Sequence, residues 1–173
     1  MVYVFGKAIT NETLQAMTKY QGKTTTLKER AGVAMMMKNS EDKDVQVRQQ
    51  VEKLMEEAGG REATICLIYN ATGDTLTLVT YHDWSGQIGF TPYPPKIENG
   101  QWGVFLHVRN TATSDASSVG AVVYRGINGA GEIRDWMQAW KNKKPNKVTL
   151  FIVFFSSTGP CLLYNCLVFG ILR

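Results

Sequence analysis

The residues most able to do chemistry in this chain are two histidines and their neighbours. His82 and Asp83 are adjacent and His107 lies in an apolar run, so a two-histidine metal site or a His/Asp base can be assembled on paper. The spacing supports neither. A zinc or iron site needs a third ligand at a recognisable separation, and Cys66, Cys161 and Cys166 do not supply one. A hydrolytic triad needs a nucleophile on a strained turn such as G-x-S-x-G, which the chain lacks. The GINGAG run at Gly126 to Gly131 has no following helix to hold a phosphate, and it reads as a hairpin turn. Both histidines are therefore expected to be structural, no metal or cofactor is expected, and the chain reads as a non-enzyme.

The aromatic residues offer another chemistry. Tyr81, Trp84, Tyr93, Trp102, Tyr124, Trp136 and Trp140 are large rings with an apolar face and a polar tip, suited to sugars, choline head groups or membrane interfaces. Most should fill a core. Trp84 and Tyr93 fall in loop-like sequence, and Trp84 with Ser85 beside Gly86 would project a ring and a hydroxyl together, which makes them candidate ligand residues.

These residues must be positioned by elements that change character along the chain. Thr10 to Lys19 offers a cap and a short amphipathic helix. Thr26-Leu-Lys-Glu29 fits a capping box and opens a second helix through Lys38, half-buried since Met35, Met36 and Met37 cannot share one face. A third helix runs from Asp44 to Ala58, with Val47, Val51, Leu54, Met55 and Ala58 on one stripe and Gly59-Gly60 ending it. From Ala63 the pattern becomes β. Ala63 to Tyr69 and Thr75 to Tyr81 read as a hairpin, followed by a loop or bulge at His82 to Gly86. Three prolines at 92, 94 and 95 hold an edge segment. Strands follow at Trp102 to Val108, Val119 to Tyr124, Ile133 to Trp140 and Val148 to Phe155.

The fold expected is α+β, an antiparallel β-sandwich with two or three N-terminal helices packed on it. The division is a helical extension over 1–62, a sandwich over 63–155 and an apolar tail over 156–173. No charged residue occurs from Val148 to Leu172, 25 residues in all. The tail reads as one or two terminal strands in preference to a membrane anchor, because Gly159-Pro160 and Asn165 interrupt it.

Charge argues against nucleic acid. The net charge of +4 is concentrated at the end, with 10 Lys/Arg against 9 Asp/Glu in 1–62, 4 against 6 in 63–140, and 5 against 0 in 141–173. A nucleic-acid reader usually spreads a basic face over its folded domain. The opening MVYVFGKAITNE carries no long apolar run, so a cytoplasmic protein, at most peripheral to membranes, is expected. The sequons at Asn11 and Asn70 are then chance matches.

Several ordered motifs, NATGDTLTLV, HDWSG, PYPPKIENGQWGVFLHV, VGAVVYRG and DWMQAW, with TLKERAGVA before them, resemble the plant jasmonate-induced proteins of the 23 kDa class. The likeness covers Tyr3 to about Val148 and implies a stress or defence role without an enzymatic reaction. More distantly, the stretch is similar to the actinoporin-like β-sandwich of pore-forming cytolysins and nakanori-type lipid-binding proteins. That resemblance implies a choline head-group site, carried by position onto Ser85, Val119 and the loop at Trp140. Candidate ligand residues are thus Trp84, Ser85, Tyr93, Val119 and Trp140, and the implied partner is a membrane lipid or, as the alternative, a glycan bound in the manner of a lectin. After Phe154 the likeness to both groups ends.

Overall fold

The computed structural model describes residues 4–59, 63–109, 117–143, 147–155 and 166–171, with side chains through 142. Among the described residues, three helices follow a two-residue strand at the start: α1 (Asn11–Gln15), α2 (Leu27–Met36) and α3 (Lys43–Glu57). The capping box expected for α2 is present, and the cap expected for α1 is also a full capping box. Thr10 and Thr26 each accept from the backbone amide three residues on, and the Thr13 and Glu29 side chains return a bond to the cap amide. Helix α1 is half as long as its sequence window suggested.

Among the described residues, ten strands build two five-stranded sheets. In the first, β1 (Val4–Phe5) and β4 (Gln87–Ile88) flank the two ends of β6 (Trp102–Val108), which pairs with β2 (Ala63–Asn70), and β2 pairs with β10 (Cys166–Ile171). The second runs in the order β5 (Lys96–Ile97), β3 (Leu76–Ser85), β7 (Ser117–Ile127), β8 (Ile133–Lys143) and β9 (Lys147–Phe155). All pairings are antiparallel. The chain is an α+β sandwich.

Two cores result. Tyr69, Trp102, Val104, Leu106 and their neighbours on β2 and β6 face the helices, meeting Leu14, Val33, Val51 and Leu54. The other faces of the same strands, with Cys66, Ile68 and Phe105, meet Val122, Tyr124, Trp136 and Trp140 of the second sheet. Burial raises the Cys66 thiol well above its ordinary range, which leaves it inert.

One expectation fails. The segments read as a hairpin, Ala63 to Tyr69 and Thr75 to Tyr81, fall on strands Ala63–Asn70 and Leu76–Ser85, which lie in different sheets. The connection is turned by Asn70, whose amide donates to Asp74 O at 2.7 Å and Ile97 O at 2.6 Å while its Oδ1 accepts from the Thr72 amide at 3.0 Å. This Asn is fully buried, so the second sequon is inside the fold. Likewise Asn99-Gly100 carries the chain from one sheet to the other, with Asn99 tied to Gly73 N and Ile9 O at 2.9 Å each. Strand β3 also runs on through His82-Asp83-Trp84, where the sequence allowed a loop or bulge; the bulge is real. The tail segment 166–171 forms β10 against all but the first two residues of β2.

Candidate functional site

The candidate residues converge at one end of the second sheet. Strand β3 pairs Asp83 with Gly120 and Ser85 with Val119, so two residues on β3 oppose one step of β7 and Trp84 is the extra residue of a bulge. The bulge turns the indole outward, 63% exposed, where its ring meets the exposed His82 edge-on at 4.7 Å. Ser85 donates to Ser117 O at 3.0 Å and accepts from the Ser117 hydroxyl at 2.9 Å. Gly86 then crosses to the first sheet with φ +91°, where a Cβ would sit 2.4 Å from Val108 O, so only glycine fits the crossing.

Beneath Trp84, Asp83 points the other way, between the sheets. It accepts from the Tyr93 hydroxyl at 2.8 Å and lies 3.3 Å from His107 Nε2, a contact too poorly aligned to be a hydrogen bond. The other ring nitrogen of His107, Nδ1, is 2.7 Å from Ser118 Oγ. Ser118 in turn reaches Thr64 Oγ1 at 2.9 Å and accepts from the Trp140 indole at 3.2 Å. With Trp140 donating to it, the serine hydroxyl is best directed at Nδ1, which puts the histidine proton on Nε2 facing the carboxylate. Burial lowers the His107 pKa below its ordinary value, and the Asp83 carboxylate opposes that only in part. Tyr93 is raised far above its ordinary range, first by burial and then by the bond to Asp83.

Serine, histidine and aspartate stand here in the order of a hydrolytic relay, but Ser118 is 1% exposed and His107 is fully buried. The Trp140 ring, 5.0 Å from the His107 ring, closes over them. An acyl substrate could not reach the hydroxyl, and the cluster acts as a polar tie between the two sheets. The described residues contain no group of three His, Cys, Asp or Glu able to hold a metal.

The five candidates thus divide. Trp84, Ser85 and Val119 come together at the sheet end, with Ser85 and Val119 as direct partners. Tyr93 and Trp140 stand behind them, 4% and 1% exposed, packed on Phe105 from two sides at 4.9 and 5.8 Å. Gly120 is small because the Trp140 ring lies across it; a Cβ there would meet Cζ2 at 2.5 Å. Sequence reasoning passed over Phe90, which is exposed, and the buried Ser118 and Thr64. Exposure of Phe90 carries no local signal, since its run GFTPYPP alternates rings with prolines on both buried and exposed positions.

Residues 5–152 match the family model described as nakanori-like protein. The chain belongs to the nakanori-like family. It is 45% identical over 138 residues to the 23 kDa jasmonate-induced protein of Hordeum vulgare, covering 79% of this chain and 65% of that one. A jasmonate-induced protein homolog of Atriplex canescens is 33% identical over 94 residues, covering 51% of this chain and 49% of the relative. This nakanori-like chain therefore spans between about half and two thirds of the length of these relatives. Among solved structures, that of the lipid-binding protein nakanori superposes with a TM-score of 0.76 at 25% identity, over 87% of this chain and 72% of the other. Two relationships expected from the motifs, to the jasmonate-induced proteins and to the nakanori-type sandwich, are both present.

Proposed function

We propose that this chain is a non-enzymatic stress or defence protein that binds membrane surfaces peripherally from the cytoplasm, with Trp84 as its anchor. The observation that carries the reading is the outward indole on the β3 bulge. A ring of that size exposed on a rigid strand costs solubility unless something covers it, and an indole with a polar edge suits the head-group layer. The bulge is held from below by Asp83, with its bond from Tyr93 and its contact with His107, which fixes the point where the ring leaves the sheet. Similarity to a lipid-binding protein of the same fold and to jasmonate-induced proteins supports the assignment.

The reading is tested by liposome co-sedimentation beside a glycan array. Trp84→Ala should weaken vesicle binding by about 1 to 3 kcal/mol while leaving the thermal midpoint unchanged. Vesicle binding that is unaltered in a folded Trp84→Ala protein refutes the anchor, and a response of Trp84 to glycans alone would move the chain to the lectin-like alternative.

A further inference from the structure

The strand register of the second sheet places charge beside Trp84 in a way the linear sequence conceals. Ser85 pairs with Val119, and Val119 pairs with Lys141, so the bulge stands two strand spacings, about 10 Å, from Lys141. One step further, Ser117 pairs with Lys143 and Lys143 with Lys147. Three lysines separated from Trp84 by about sixty residues of chain thus occupy the same end of the same sheet.

Faces agree as well. Trp140 is turned inward into the core, so Lys141 is turned outward, and it is exposed. His82 pairs with Ala121, which pairs with Ala139, on that same outer face. Across the outer face at this end lie Trp84 with His82, then the half-buried Val119 and the buried Ala121, then Ala139 and Lys141. It is an aromatic and small apolar strip ending in cations.

Acids are directed elsewhere. Asp83 points inward to Tyr93 and His107. Asp135 is bound by Arg125 and Glu132 by Arg134, both near the opposite end of β8. Glu56 and Glu57 end α3 on the far side of the first sheet. The connection 110–116 adds Asp115 as its one acid, and the segment 141–173 has none.

We infer that this end of the second sheet, where the exposed Lys141 stands and the backbone register also brings positions 143 and 147, docks on an anionic bilayer surface while Trp84 enters the interface. The inference rests on the membrane-binding reading and narrows it from lipid in general to acidic lipid. A cluster of lysines flanking an interfacial aromatic gains from both the negative surface potential and burial of the ring, whereas a zwitterionic surface rewards only the ring. Nucleic acid would satisfy the lysines but leave the exposed Trp84 ring and the half-buried Val119 and Ala139 uncovered.

The test is co-sedimentation of the full chain with vesicles of phosphatidylcholine alone and with about 30 mol % phosphatidylserine, at about 0.1 M and about 0.5 M salt. Each lysine near the surface is expected to contribute about five-fold in partitioning. Replacing Lys141, Lys143 and Lys147 with Gln should therefore lower binding to the acidic vesicles by roughly a hundredfold and remove its salt dependence. A charge-matched control, Lys28, Lys53 and Lys96 to Gln, lies on the helices and the opposite end of the sheet and should change it by no more than about two-fold. Should the triple variant not fold, Lys141→Gln alone should still show the five-fold loss. Equal loss in variant and control, or no preference of the wild type for acidic vesicles, overturns the inference. If wild type binds neutral vesicles equally well through Trp84, the broader reading stands without it. Absence of binding to either vesicle overturns both. Salt-sensitive binding to an RNA duplex with none to vesicles reassigns the lysines to a different partner and overturns the inference too.

Discussion

His107 should make the fold acid-sensitive through a single proton. The imidazole is fully buried, touches the Trp140 ring and is neutral where it sits, because burial lowers its pKa and Asp83 restores only part of the difference. In the unfolded chain it regains an ordinary value near 6.5, so below that pH the unfolded state binds the additional proton. The sign follows: stability rises with pH through this window and falls as pH drops below 6.5, until the folded pKa is reached. With the unfolded imidazole titrating near its ordinary 6.5, acidification from pH 7.5 to pH 5.5 should cost up to about 1.4 kcal/mol from this residue alone. The carboxylates held low by hydrogen bonds, Glu12, Glu29, Glu132 and Asp135, titrate beneath this window and do not confuse it. His107→Asn keeps a polar atom for Ser118 and cannot titrate; it should be less stable at pH 7.5 by about 1 to 3 kcal/mol. Urea unfolding at the two pH values, followed by tryptophan fluorescence, should show the acid loss in the wild type and little of it in the variant. An equal loss in both proteins, or none in the wild type, refutes the reasoning that the buried imidazole is neutral.

Other perturbations follow from the same geometry. Lys43 is buried and its ammonium has no hydrogen-bond partner among the described residues, with burial lowering its pKa. Lys43→Met should stabilise the protein by about 1 to 3 kcal/mol at neutral pH, and should abolish a rise in wild-type stability as pH climbs toward 10.5; equal or lower denaturation midpoints count against it. Gly120→Val should displace the Trp140 ring, cost about 1 to 3 kcal/mol or more, and alter tryptophan emission, whereas unchanged stability would show that the ring does not lie across the glycine. Thr26→Ala removes the acceptor for the Glu29 amide at 3.2 Å and should cost about 1 kcal/mol in thermal or chemical unfolding, with the loss reversed by Ser at the same position.

Local grammar made some of this legible. The capping box at Thr26 and the glycine-rich turn between β7 and β8 rest on contacts between near neighbours, and a sequence carries those directly. The sheet to which a strand belongs is not local. Strand β2 is buried along nearly its whole length, one face under helices and the other under β7 and β8, and its unbroken ATICLIY run was the available sign of two-sided burial. Alternation in β3 says only that one face is wet. Among the candidates, Tyr93 sits in a proline-rich run that reads as exposed, yet it is buried because Asp83, ten residues earlier, provides the partner its hydroxyl needs. Trp140 was a candidate only through the resemblance, and its ring is covered because Gly120 makes room for it. The excess of Lys and Arg after position 140 was plain in the sequence, while the place of Lys141 beside Trp84 required the register of three strands.

Trp84 gives the most direct test of the membrane reading, because Trp102, Trp136 and Trp140 are each 8% exposed or less. Vesicles containing lipids brominated along the acyl chain quench indoles that reach the interface. The account predicts quenching of the wild-type emission on binding and its loss in Trp84→Phe, with the buried tryptophans unaffected. Binding without quenching, or quenching that persists in Trp84→Phe, would contradict it.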